Sequence, residues 1–122
     1  DHRIGVRGGF KLGLNEVAIG MTMPWFGVEL CRARLNRSHM DQALGLARLY
    51  GPDDAQYAGF LDEVVEPEAM HGRVAELAEM FAKLDMPSHR ATKARSRQIL
   101  LERLELAIAR DFAEGASLRA SA

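Results

Sequence analysis

The apolar and polar positions change period along this chain. Phe10, Leu12 and Leu14 alternate with Lys11, Gly13 and Asn15, the period-two mark of a short, half-buried strand. Before it, Ile4 and Val6 share a face of a shorter run from His2 to Val6, and Arg7-Gly8-Gly9 predicts a tight reversal between the two. From Pro24, which suits a first helical position, the pattern turns helical: Phe26, Leu30 and Ala33 recur at four and three. Asn36 to Ser38 interrupts it, and Ser38 is the expected N-cap of a second helix with Met40, Ala43, Leu44, Ala47 and Leu49 on its apolar face. Gly51-Pro52-Asp53-Asp54 opens a third helix, which Gly59 closes in a left-handed conformation. Phe60, Leu61, Val64 and Val65 make a small strand, ended by Glu66-Pro67.

Pro67 opens a longer helix with Met70, Val74, Leu77, Ala78, Phe81 and Leu84 on one side. Asp85-Met86-Pro87 stops it, since proline disfavours helix in the residue before it. Ser88 then caps a last helix whose apolar positions include Ile99, Leu100, Leu104, Ala107 and Ile108. The small, polar tail from Gly115 to Ala122 is expected to fray. The pattern therefore predicts two or three short strands followed by five helical segments, an α+β chain that is mostly helical.

Composition narrows this picture only slightly. A chain of 122 residues, 48% apolar and 27% charged, is an ordinary globular sequence for which one small domain is expected. A net charge of −1 gives no case for nucleic acid as a partner. Cys31 is the single cysteine, which excludes an internal disulfide and a cysteine-based metal cluster. His2, His39, His71 and His89 never fall at the i,i+4 spacing of a helical metal site, so no metal is expected. No apolar run approaches the roughly 20 residues of a membrane span. No basic, apolar leader opens the chain, so a cytoplasmic location is the expectation.

The chemistry-bearing candidates are few. Glu16 stands between Asn15, a turn residue, and the run Val17-Ala18-Ile19-Gly20. On pattern alone, a surface acid at a turn outranks a desolvated one. A desolvated carboxyl would have a raised pKa and suit proton transfer. Met21, Met23, Trp25 and Phe26 follow as a dense apolar, polarizable group, whose plainest reading is a packed helix start. Arg90, Lys93 and Arg97 share one face of the last helix. A solvated face explains them most simply; the phosphates of coenzyme A or of nucleic acid are the functional alternatives. No aromatic residues interleave with this patch, which weakens the nucleic-acid reading.

Phe10-Lys11-Leu12-Gly13-Leu14-Asn15-Glu16-Val17, followed by Ile19-Gly20-Met21 and Pro24, resembles the second conserved block of the crotonase superfamily, the enoyl-CoA hydratases and isomerases. Ala55-Gln-Tyr-Ala-Gly-Phe-Leu-Asp-Glu-Val-Val65 resembles that family's Ala-x-x-x-Gly-Leu-Val-Asp-x-Val-Val element, and Asp1 to Ile4 resembles the segment just before that second block. The resemblance implies the C-terminal half of a ClpP/crotonase ββα spiral. Residues 1–66 would hold the end of the spiral core, with the catalytic-block strand and the acyl-pocket helix. Residues 67–122 would form a helical region for oligomerisation and coenzyme A capping. It implies Glu16 as one of two acid/base glutamates, and Met21, Met23, Pro24, Trp25 and Phe26 as acyl-pocket residues. Thr92-Lys93 resembles a pair in the family's corresponding helix, which points Lys93, with Arg90 and Arg97, toward coenzyme A. The resemblance further implies coenzyme A as part of the acyl-CoA substrate, with no separate cofactor, and a trimer or hexamer as the assembly of the full-length protein. The second glutamate, the main sheet layers and both oxyanion-hole donors are expected from residues before Asp1. The alternative is a truncated, catalytically inactive remnant that serves only in oligomerisation.

Overall fold

The computed structural model describes residues 1–120. Two strands, β1 (Ile4–Val6) and β2 (Glu63–Val65), pair in parallel with Ile4 opposite Glu63, Gly5 opposite Val64 and Val6 opposite Val65. Parallel pairing needs a long crossover, and here the intervening chain carries three helices. The hairpin expected from Arg7-Gly8-Gly9 does not form. Arg7 N–H donates instead to Val65 O at 2.9 Å, continuing the β1–β2 ladder. The alternating run from Phe10 to Leu14 makes no strand. It contributes one antiparallel bridge, Leu12 to Tyr50, closed by reciprocal bonds of 2.9 and 2.8 Å.

The five helices are α1 (Trp25–Arg34), α2 (Met40–Leu44), α3 (Pro52–Ala58), α4 (Met70–Ala82) and α5 (Met86–Ala120). Single 3-10 turns lie at Val17–Ile19, Arg37–His39 and Pro67–Ala69. Pro24 stands just outside α1, in the N-cap position. Ser38 does not cap α2; it lies inside the 3-10 turn that leads into that helix. α2 also stops early, because Ala47 turns left-handed (φ 49°) and Leu46 N–H bonds back to Asp41 O at 3.1 Å. The cap of α5 is Asp85, whose carboxylate accepts the Ser88 N–H at 3.1 Å. Hydrogen bonds from the Ser88 side chain and backbone hold the Asp85 carboxyl below its ordinary range. α5 is assigned through Gly115 to Ala120; Ser121 and Ala122, part of the tail expected to fray, lie outside the described residues.

Two compact units emerge from the packing, and each draws on chain from both sides of residue 66. The first comprises residues 1–12 and 50–96. Its core is Tyr50, Ala55 and Ala58, all fully buried, with Leu77. The Tyr50 ring centroid lies 5.3 Å from that of Phe60. Arginines tie this unit's edges together. Arg3 forks onto Asp62 with two bonds of 3.0 Å, and Arg7 bonds Asp53 at 2.8 Å and also Glu66. Arg73 bonds Glu63 at 2.7 Å, whose other oxygen meets the His2 ring at 3.2 Å. The second unit comprises residues 13–49 and those from Arg97 onward. It buries Cys31, Leu35, Ala43 and Ala107. Much apolar surface stays open, including Ile19, Leu106 and Phe112.

Candidate active site

Glu16 is the N-cap residue of the Val17–Ile19 3-10 turn, in the second unit. The carbonyls of Asn15 and Glu16 accept the Ile19 N–H at 3.2 and 3.1 Å, and Glu16 O also accepts the Met21 N–H at 2.8 Å. Gly20 ends the turn at φ 78°, a left-handed value that a side chain would strain. The backbone of Glu16 is thus fixed by local bonds, which leaves its side chain free of any capping duty. Its Oε2 is buried and has no hydrogen-bond partner among the described residues. Leaving a buried acceptor unsatisfied costs about 1–3 kcal/mol. Burial, and after it the negative charge of Glu16, pushes the Cys31 thiol pKa up.

The residues after Glu16 line an open cleft of about 900 Å3. Met21, Met23, Pro24 and Trp25 form one side of it, Val28 and Leu44 are also apolar, and Asp111 and Glu114 of α5 add carboxylates. Four of the five residues expected at an acyl pocket therefore share one cavity. Phe26 and Glu16 are not part of its lining. Met23 can lie down on α1 because Gly27 has no side chain; a Cβ there would sit 2.7 Å from the Met23 sulfur.

The pattern of the sequence did not reveal the group that secures this cleft. Pro24 offers no side chain to cap α1, so the first N–H groups of that helix need another acceptor. Asp111 supplies it: Oδ1 accepts the Trp25 N–H at 2.9 Å and Oδ2 the Phe26 N–H at 3.1 Å. A carboxylate there also complements the positive end of the helix dipole. Glu114 accepts the indole Nε1–H of Trp25 at 3.1 and 3.2 Å. The Arg110 guanidinium lies 3.5 Å from the centroid of the indole ring, a cation–π contact, and bonds Glu114 at 2.9 Å. One signal was legible. Leu100, Leu104 and Ala107, spaced four and three, are the more buried positions of this part of α5, and Asp111 is the next position in that register. An acid in an apolar stripe marks a polar partner, here a helix N-terminus.

The expected basic group is divided. Lys93 is paired with Asp1 at 2.6 Å, beside His89 at 3.5 Å from the same carboxylate. Arg90 is exposed and belongs with Lys93 to the first unit, whereas Arg97 belongs to the second. Among the described residues, no group of three or more His, Cys, Asp or Glu could hold a metal ion. No described helix is long and apolar enough to cross a membrane.

No family model matches the chain. An enoyl-CoA hydratase/isomerase family protein from Pseudomonas syringae superposes with a TM-score of 0.89 at 44% identity, over 91% of this chain and 48% of that one. An enoyl-CoA isomerase from Mycobacterium tuberculosis superposes at 0.86 and 41% identity, over 93% and 50%. Over nearly its whole length the chain is thus similar to about half of an enoyl-CoA hydratase/isomerase family protein. Its helices and short parallel sheet are the crotonase fold as found in about half of such a protein. Mouse mitochondrial enoyl-CoA delta isomerase 1 is 24% identical over 95 residues, which is 78% of this chain and 33% of that protein. The chain thus spans about half the length of the solved structures it matches, and a third of this curated relative.

Proposed function

We propose that this chain carries an acid/base carboxylate of an acyl-CoA enzyme, and that Glu16 is that group. The reading rests on one observation above all: Glu16 Oε2 is buried and unpartnered in the turn that leads into the Met21–Trp25 cleft. A carboxylate with no protein donor is available to a water molecule or to a substrate proton. In the hydration of an α,β double bond, oxyanion-hole N–H groups stabilise the enolate-like state formed at the thioester carbonyl. Two glutamates hold the water and move its proton. Those N–H donors and the second glutamate come from the rest of the protein. Met21, Met23, Pro24 and Trp25 contact the acyl group, with Phe26 behind them on α1. Coenzyme A enters with the substrate, and Arg90, Lys93 and Arg97 are its candidate phosphate contacts. At Lys93 a phosphate competes with Asp1.

In the full-length protein, Glu16→Gln is expected to lower crotonyl-CoA hydration, or isomerisation of a 3-enoyl-CoA, by about 10²–10⁴-fold, the usual contribution of a positioned acid or base. Turnover equal to wild type in both assays removes Glu16 from the chemistry. A second reading, an inactive module that serves oligomerisation, draws support from the exposed apolar side chains such as Phe10, Leu106 and Phe112. Under that reading the full-length protein forms its trimer or hexamer in light scattering yet binds no crotonyl-CoA in titration.

A further inference from the structure

We propose that Arg110, Asp111 and Glu114 are positioning residues that hold Trp25 as a fixed wall of the cleft, and that this wall sets which acyl lengths the protein accepts. The proposal rests on the acyl-CoA reading above. Among the cleft residues, Met21 and Met23 are unbranched thioethers that adapt to whatever lies against them. Adaptable walls discriminate poorly between chain lengths. Trp25 is the large, flat residue of the cleft, and it is gripped in three ways. Asp111 fixes its backbone through the first turn of α1, Glu114 fixes the edge of the ring at Nε1, and Arg110 covers the face. A cap alone would need only Asp111. The contacts to the ring restrict the side-chain rotamer, which adds nothing to helix capping but decides where the cleft ends. Each contact is solvent-accessible and individually weak; two on the side chain, with the backbone held by a third, make a defined rotamer. Supporting side chains of this kind govern the precision of a site they do not themselves form.

The test uses the full-length protein and 2-enoyl-CoA thioesters of four, eight and twelve carbons. Glu114→Ala frees the indole edge, whereas Glu114→Gln keeps an oxygen that accepts the Nε1–H. Glu114→Ala is expected to change the four-to-twelve-carbon ratio of kcat/KM by about tenfold, the scale on which apolar pockets discriminate single methylenes, and Glu114→Gln to keep the wild-type ratio. Trp25 emission, obtained as the difference from Trp25→Phe, is expected to lose anisotropy in Glu114→Ala but not in Glu114→Gln. Arg110→Leu is the second variant, with the same expected direction, should Glu114→Ala fold poorly. An unchanged length ratio in a variant whose Trp25 emission shows a freed ring overturns the proposal, as does a Glu114→Gln ratio equal to that of Glu114→Ala. Failure of the underlying reading looks different: the wild-type protein then turns over none of the three thioesters.

Discussion

In the first unit, Arg3 and Arg7 reach carboxylates 59 and 46 residues away, and Arg73 meets Glu63. The arginine bonds hold Asp53 and Glu63 below the ordinary carboxylate range. In the second unit, Asp111 and Glu114 turn to N–H groups of Trp25 and Phe26, and Glu16 keeps a buried oxygen with no described partner. The first set of acids closes a fold across long stretches of sequence. The second set shapes one cleft and leaves one acid uncommitted. A carboxylate already satisfied by a guanidinium has its acceptor sites occupied, so the unpaired acid is where proton transfer is sought.

The largest effect on stability is expected at Tyr50, among the described residues the one large side chain that is fully buried. Tyr50→Ala should cost about 3–5 kcal/mol in denaturant titration, as other large aromatic truncations do. Asp111→Ala, in the second unit, removes the cap of α1 and should cost about 1 kcal/mol, read as a shift of the denaturation midpoint. Cys31 reports on Glu16 directly. Burial and the Glu16 charge both raise its pKa, so the neutral thiol is favoured and alkylation at neutral pH should be slow. Glu16→Gln should speed that alkylation only modestly, since burial is the larger cause; peptide-resolved mass spectrometry measures it.

The smallest effect concerns acid. Asp53, Glu63 and Asp85 have depressed pKa values in the folded chain. Their contribution is present above the unfolded carboxylate values of about 4 and is lost as pH falls through the lower folded values. Stability should therefore decline below about pH 4, and Asp53→Asn should flatten that decline slightly, because the pair with Arg7 is exposed.

Local signals in the sequence translated well where one residue decides the outcome. Pro52 opens α3 and Gly59 closes it at φ 100°, as their backbone preferences require. The alternation of Phe10 to Leu14 misled because period two shows only that a segment can be half-buried, not that a neighbouring strand exists. The parallel partner of β1 lies 59 residues along the chain from Ile4 to Glu63, beyond the reach of any local pattern. Asp85 took the cap assigned to Ser88, since both are good caps and only the position of the first turn separates them. The family resemblance singled out Met21, Met23, Pro24 and Trp25, which line one cleft, and Glu16, whose role is a proposal. The grip on Trp25 escaped it, because Asp111 lies 86 residues from its partner.

The contrast between committed and uncommitted acids is tested most directly by comparing Glu16→Gln with Glu63→Gln in the full-length protein, with enoyl-CoA turnover and Tm recorded on the same samples. Glu16→Gln is expected to lose turnover while Tm holds, since the buried oxygen it alters has no hydrogen-bond partner among the described residues to lose. Glu63→Gln is expected to keep turnover while Tm falls. A Glu16→Gln protein with wild-type turnover, or one whose loss of turnover only follows a fall in Tm, contradicts the account.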